Sequence, residues 1–218
     1  HKPHALRAIV AVSGGLDSST TAWLCAQAMR KASKEGSVED LSLLLLVFKG
    51  VSEEDYRYGL EFAGRIESEF PDVPCKVCER DLTSLLRRID EYVDDITLST
   101  REEKLYSGEL STRVIDLITL EVADRAGYCA MDSTNGTEVV LGEFVIGAGC
   151  ECLPLVDFYK SQVYDIAELI GVPEFVLKRN PINSTFGNDK VTSYFGEIPE
   201  GFTPRDVYNV LDPILYLI

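Results

Sequence analysis

Seven residues, Ser13-Gly14-Gly15-Leu16-Asp17-Ser18-Ser19, join an apolar run, Ala8 to Val12, to a stretch of helical pattern from Ser18 to Ala32. That junction limits what the chain can fold into more than any other feature. Two glycines let the backbone turn tightly with its amides exposed, and the hydroxyls of Ser13, Ser18 and Ser19 add donors. A phosphate placed there meets a helix N-terminus, where unpaired amides and the helix dipole both favour negative charge. A Walker loop would carry a lysine, in the order Gly-x-x-x-x-Gly-Lys-Ser/Thr. Here Asp17 sits among the phosphate donors instead. A bare carboxylate repels phosphate, so the acid fits such a site when a divalent cation bridges the two. The plainer reading is a strand-to-helix turn in which Asp17 and Ser18 cap the helix.

Strand-like runs and helical patterns alternate along the rest of the chain. Ala8 to Val12, Leu41 to Phe48, Cys75 to Arg80, Tyr128 to Asp132 and Cys152 to Val156 read as strands. Ser18 to Ala32, Glu53 to Phe70, Leu82 to Val93, Ser111 to Ala126 and Ser161 to Ile170 read as helices, and a closing helix is expected over Pro204 to Leu217. This alternation predicts an α/β fold, a doubly wound open parallel sheet covered on both faces, formed as one domain over residues 1–218. Ligands in such sheets bind beyond the carboxyl ends of the strands, where Ser13 to Ser19 would lie. Two stretches break the regularity. Asp94 to Gly108 is charged and without a clear period, and reads as a mobile loop or lid. Pro181 to Gly201, rich in Gly, Pro, Asn and Ser, reads as a second segment that orders on binding.

Charge and cysteine usage restrict the function classes. The 218 residues suffice for one large α/β domain and leave no room for a glutaminase domain beside it. Lys and Arg total 21 against 36 Asp and Glu, a net charge of −15, with no clustered basic run. A nucleic-acid partner would require positive surface for its phosphates, so a small-molecule substrate is expected and nucleic acid is not. The longest apolar run, Leu43 to Phe48, falls well short of the roughly 18 residues of a membrane helix, so no membrane association is expected. Six cysteines in a chain of this length do not make a secreted disulfide scaffold, which predicts a cytoplasmic protein.

The loop Ser13 to Ser19 resembles the signature of the PP-loop ATP pyrophosphatases, proteins of the Rossmann-like, adenine nucleotide alpha hydrolase-like fold that cleave ATP between its α and β phosphates. From Gly108 onward the order of motifs is similar to the ammonia-dependent NAD synthetases. Glu109-Leu-Ser-Thr-Arg113 resembles the start of that family's Asn-x-x-x-Arg helix. Asp132-Ser-Thr-Asn-Gly-Thr-Glu138 resembles its Gly-Thr-x-x-x-x-Glu turn, and Leu153-Pro154 through Lys160 to Pro173 resembles the stretch leading into and through its next helix.

The resemblance implies an ATP-dependent carbon–nitrogen ligase that adenylylates a carboxylate, releases pyrophosphate and lets ammonia displace AMP. It implies ATP and Mg2+ as cofactors, a small-molecule carboxylate and ammonia as partners, and a homodimer. It also implies roles by position. Asp17 and Glu138 match the metal-binding carboxylates, Lys160 a lysine at the ATP phosphates, and Ser133 a threonine at the nucleotide. Ser13, Gly14, Gly15, Ser18 and Ser19 match the phosphate loop, and Arg113 with Glu109 the substrate side. Each has a plainer alternative: Glu138 caps the following helix, Lys160 is a solvated lysine, and Arg113 pairs with Asp116 or Glu109.

The departures from the family fall together. Phe144 to Pro154 is about two residues shorter than the family's Phe-Thr-Lys-x-Gly-Asp-Gly-x-x-Asp segment and lacks its lysine and first aspartate. Glu109 stands in place of an asparagine, Ile115 of an arginine, and Ile182 of a threonine. The ATP half is therefore largely kept, with Ile182 its departure, and the deamido-NAD half weakened, so a replaced carboxylate acceptor is a further expectation. Two other readings remain: sulfur transfer from Cys150 or Cys152, and a non-catalytic nucleotide-binding relative. The pairs Cys75/Cys78 and Cys150/Cys152 could also join in a metal site.

Overall fold

A computed structural model describes residues 5–94, 103–145, 147–180 and 200–217. In chain order the elements are β1 (Ala5–Ala11), α1 (Leu16–Lys34), β2 (Asp40–Lys49), α2 (Glu53–Glu69), β3 (Cys75–Asp81), α3 (Thr83–Asp94) and α4 (Glu103–Ala126). They continue with β4 (Cys129–Met131), α5 (Gly136–Leu141), α6 (Lys160–Ile170), α7 (Glu174–Leu177) and α8 (Pro204–Tyr216). The four strands form one parallel sheet in the order β3-β2-β1-β4.

Alternation along the strands sends side chains to two separate cores. Ala8 and Val10 of β1 join Leu43, Leu45 and Val47 of β2 against Ala22, Trp23 and Ala26 of α1, Phe62 and Ile66 of α2, Val163 of α6 and Val207 of α8. On the opposite face Ile9, Leu44 and Leu46 meet Val114 and Ala123 of α4, together with Leu82 at the start of α3. Both faces are therefore covered, which is the doubly wound arrangement. The chain after β1 runs to one side of the sheet and the chain entering β4 comes from the other. The crevice between the carboxyl ends of β1 and β4 is the place such a sheet offers a ligand.

Three expectations are corrected. Cys152 to Val156 is not a strand: Cys152 makes a single parallel bridge to Met131, and the chain then turns through Phe158 N to Leu155 O at 3.0 Å. Pro154 has no N–H to give a ladder, so the apolar run settles its backbone locally. Helix α4 begins at Glu103 rather than Ser111, taking in the second part of the expected lid. Glu, Lys and Leu in that stretch are strong helix formers, and propensity prevails there over the missing period. The remainder of the expected lid, residues 95–102, and most of the expected ordering segment, residues 181–199, lie outside the described residues. Short α7 was not anticipated, and α5 enters the sequence reading only as the helix that Glu138 caps.

Candidate active site

The turn after β1 is fixed by one glycine more than by two. Gly14 has φ +71°, and a Cβ there would lie 2.4 Å from the Tyr58 carbonyl carbon and 2.7 Å from the Gly59 nitrogen. The loop from Ser13 to Ser18 thus packs backbone to backbone on α2. Gly15 is extended, φ −76°, and serves as the N-cap of α1 with no side-chain cap, so neither Asp17 nor Ser18 caps that helix. Uncapped first-turn amides are what an anion needs. Ser18 Oγ accepts from Ser13 N at 3.2 Å and lies 3.1 Å from Ser13 Oγ, which ties the loop to the helix it precedes. Ser19 is fully buried, its hydroxyl without a partner among the described residues, and it does not line the cavity.

Ser13, Gly15, Asp17 and Ser18 border a cavity of about 290 Å3 that Ser133, Glu138 and Lys160 also line. Asp17 is held from two directions. One carboxylate oxygen pairs with the Lys160 ammonium, and the other accepts from Asn135 Nδ2 at 3.2 Å. Lys160 is only 3% exposed, so it is no solvated surface lysine. Burial acts to lower its pKa, but the charges of Asp17 and then Glu138 outweigh it and hold the ammonium above its ordinary value.

Glu138 does take the capping role as well. Its carboxylate accepts from Asn135 N at 3.2 Å while its own N–H donates to Asn135 Oδ1 at 3.1 Å, a capping box at the start of α5. Buried Asn135 therefore links the two candidate metal-binding acids.

Lys160 is placed by the closing helix. Its N–H donates to Thr137 Oγ at 2.8 Å, Thr137 donates to Asp212 Oδ1 at 2.7 Å, and Ser161 N donates to Asp212 Oδ2 at 2.7 Å. Asp212 of α8 is 3% exposed. A buried carboxylate at the N-terminus of α6 satisfies the amide there and is favoured by the helix dipole.

The far wall is acidic. Asp132 accepts from Thr134 N and Thr134 Oγ, each at 2.7 Å, and from Cys150 N at 3.2 Å. Asp116 of α4 accepts from Gly149 N at 2.8 Å. Burial, with the nearby Asp132 charge adding to it against the pull of the Gly149 amide, pushes the Asp116 carboxyl up to about 6. Burial and the charges of Asp116 and Asp132 push the Cys150 thiol up to about 12. Arg113 pairs with Glu109 at 3.1 Å along one face of α4; Glu109 lines the cavity and Arg113 does not.

Among the described residues, seven carboxylates line this cavity against two cations, Lys160 and Arg179. A polyanionic ligand entering such a field requires cations of its own. Among the described residues no group of three or more His, Cys, Asp or Glu side chains could hold a metal by itself. Mg2+ is bound through one or two carboxylates plus substrate phosphates and retains several waters. Asp17 and Glu138 would hold it. The cysteine pairs cannot combine: β3 carries Cys75 and Cys78 at one edge of the sheet, while Cys152 bridges to β4 at the other. Three strand spacings separate those edges, roughly 14 Å.

Five residues at or behind the cavity went unassigned in the sequence: Asn135, Thr137, Asp212, Asp116 and Arg179. Asn135 stood at the N-cap position with an acid three residues on, a legible capping-box signal. The others act through contacts distant in sequence.

A family model described as NAD synthase matches residues 1–217. The NH3-dependent NAD+ synthetase of Sulfolobus acidocaldarius is 26% identical over 215 residues, covering 96% of this chain and 66% of the relative. That of Methanopyrus kandleri is 29% identical, covering 97% and 66%. The chain thus spans just under two thirds of the length of these relatives. Solved structures of NMN synthetase from Francisella tularensis and NAD+ synthetase from Burkholderia pseudomallei each align with a TM-score of 0.68 at 18% identity. They cover 96% and 97% of this chain and 78% and 80% of theirs, which establishes the shared fold. No helix among the described residues is long and apolar enough to cross a membrane.

Proposed function

Because the chain belongs to the NAD synthase family, we propose that it is an ATP-dependent amide ligase. A substrate carboxylate attacks the α-phosphorus of ATP, pyrophosphate leaves, and ammonia displaces AMP from the acyl-adenylate to give the amide. The observation that supports this reading best is the convergence of the uncapped α1 N-terminus, Asp17, Glu138 and Lys160 on one cavity at the crevice between β1 and β4.

The chain's own groups do the positioning. Amides of the loop from Ser13 to Ser18 receive the leaving phosphates, and the Lys160 ammonium, favoured by the charges of Asp17 and Glu138, faces the same anion. Asp17 and Glu138 would hold Mg2+, which when bound would supply positive charge against the triphosphate. Asp212, through Thr137 and the start of α6, keeps Lys160 at its station. Rate enhancement comes from orientation and fixed charge rather than from a protein nucleophile.

Deamido-NAD is the first acceptor to consider, and a replaced carboxylate the second. The wall from Glu143 to Gly149 presents Phe144, Val145 and Ala148 to the cavity and no cation. Losing a lysine opposite an anionic substrate removes a charge-assisted bond worth about 1.5 to 3 kcal/mol. Sulfur transfer finds less support. A thiol held protonated at Cys150 is a weak nucleophile, and Cys152 does not line the cavity. A homodimer, drawn from the family resemblance, and a cytoplasmic location, drawn from the cysteine usage, complete the reading.

The test is product identification by mass spectrometry after incubation with ATP, Mg2+, ammonia and deamido-NAD, beside a panel of other carboxylates. The reading expects an amide one mass unit lighter than one of these acids. No amide from any acceptor, with ATP left intact, would refute it.

A further inference from the structure

The second cation of the cavity, Arg179, lies two residues beyond α7, and its side chain is 6% exposed. Nη1 donates to the main-chain oxygen of Ser13 at 3.0 Å, and Nη2 pairs with Asp55 near the start of α2. The guanidinium carbon stands 4.4 Å from the centre of the Tyr58 ring. Tyr58 is also the residue whose backbone excludes any side chain at position 14. Arg179 is thus built into the junction between phosphate loop and α2. Nε is buried, 4.0 Å from a Glu54 oxygen, and has no hydrogen-bond partner among the described residues.

A cation serving the fold alone would have its buried donors satisfied, since an unpaired buried N–H is expensive. Arg179 instead leaves Nε unpaired and sealed beside Glu54 while the residue borders the cavity. Nη1 and Nη2 each carry a second N–H beyond the one given to Ser13 and Asp55, and the planar pair can offer these to phosphate oxygens, a geometry a lysine does not share.

We propose that Arg179 is a binding residue for the pyrophosphate portion of ATP, seated with the amides of Ser13 to Ser18. The inference rests on the amide-ligase reading for its catalytic meaning. As the substrate carboxylate oxygen bonds to the α-phosphorus, the bond from that phosphorus to the α–β bridging oxygen breaks. The electron pair stays on the bridging oxygen, and Arg179 meets the negative charge that grows there. No proton changes place in this step.

The test is calorimetric binding of inorganic pyrophosphate and of AMP, each with Mg2+, to the full chain and to its Arg179→Gln and Arg179→Lys variants. Pyrophosphate affinity should fall about ten-fold or more in Arg179→Gln, and by a smaller factor in Arg179→Lys, which keeps the charge and loses the fork. AMP affinity should change less than about two-fold. Unchanged pyrophosphate affinity in Arg179→Gln overturns the proposal, as does an equal loss for AMP and pyrophosphate. Absence of pyrophosphate binding by the unaltered protein overturns it too. Should Arg179→Gln not fold, Arg179→Lys decides, and unaltered pyrophosphate affinity in that variant overturns the assignment. None of these arms uses an acceptor. Failure to form an amide would refute the ligase reading while leaving the pyrophosphate result standing.

Discussion

Lys160 and Asp17, 143 residues apart in the chain, form an ion pair in which the lysine side chain is 4% exposed and the aspartate 17%. The pair joins α6 to the N-terminal end of α1, so the same two side chains serve the proposed chemistry and the fold. Removing one partner leaves the other charge buried and uncompensated, which costs about 3 to 5 kcal/mol. From sequence alone, Asp17→Asn looks neutral to the fold; the pair makes it destabilising. Asp17→Asn and Lys160→Met should each lower the urea midpoint, and the double variant should lose less than the sum. Additive losses would show that the two groups do not depend on each other.

The glycines of the loop separate cleanly. Gly14→Ala faces both a left-handed φ and backbone atoms of α2 within 2.7 Å, and should destabilise by at least about 2 kcal/mol. Gly15→Ala meets only Ser13 Oγ at 3.3 Å with an extended backbone, and should change stability by less than about 1 kcal/mol. Denaturant unfolding of the two variants checks the order.

Asp212 offers a test of long-range placement. Asp212→Ala removes acceptors from Thr137 Oγ and Ser161 N, and should lower stability by about 2 to 4 kcal/mol. Because Thr137 also receives the Lys160 amide, the KM for ATP should rise in the surviving folded protein. An Asp212→Ala variant with normal stability and normal ATP KM would contradict the clamp.

Asp116 predicts a pH dependence. Its carboxyl is raised to about 6 in the folded protein, above its unfolded value, so protonation favours the fold. The stabilisation is full below about pH 4, is lost as the pH rises through about 6, and is absent above that. Asp116→Asn keeps an acceptor for Gly149 N and removes the charge. It should stabilise by on the order of 2 kcal/mol at pH 8 and have little effect at pH 4. Thermal unfolding at the two pH values checks it; an equal shift at both would contradict the burial argument.

What could be read in the sequence was local. β1, β2, α1, α2 and α6 follow from apolar runs and helical period, and the loop between β1 and α1 from its own turn chemistry. The pairing of Arg113 with Glu109 and the capping by Glu138 are contacts within four residues, visible as spacings. Ser19 could have been placed correctly as well, because it shares the core-facing period of Ala22, Trp23 and Ala26. The bond from Arg179 to Ser13 spans 166 residues, and that from Thr137 to Asp212 spans 75. No pattern in the chain encodes such meetings before the sheet has folded. Leu153 to Val156 misled for the opposite reason: its local apolar pattern was strand-like, and Pro154 with the following turn prevailed.

The nucleotide released during turnover tests the central claim most directly. With ATP, Mg2+, ammonia and an accepted carboxylate, the account predicts AMP and pyrophosphate in equal amounts. It also predicts their loss in Lys160→Met, because in the proposed reaction the loop and the lysine hold the departing β and γ phosphates together. Release of ADP and inorganic phosphate instead would contradict the assignment of the Ser13 to Ser19 loop and, with it, the proposed reaction.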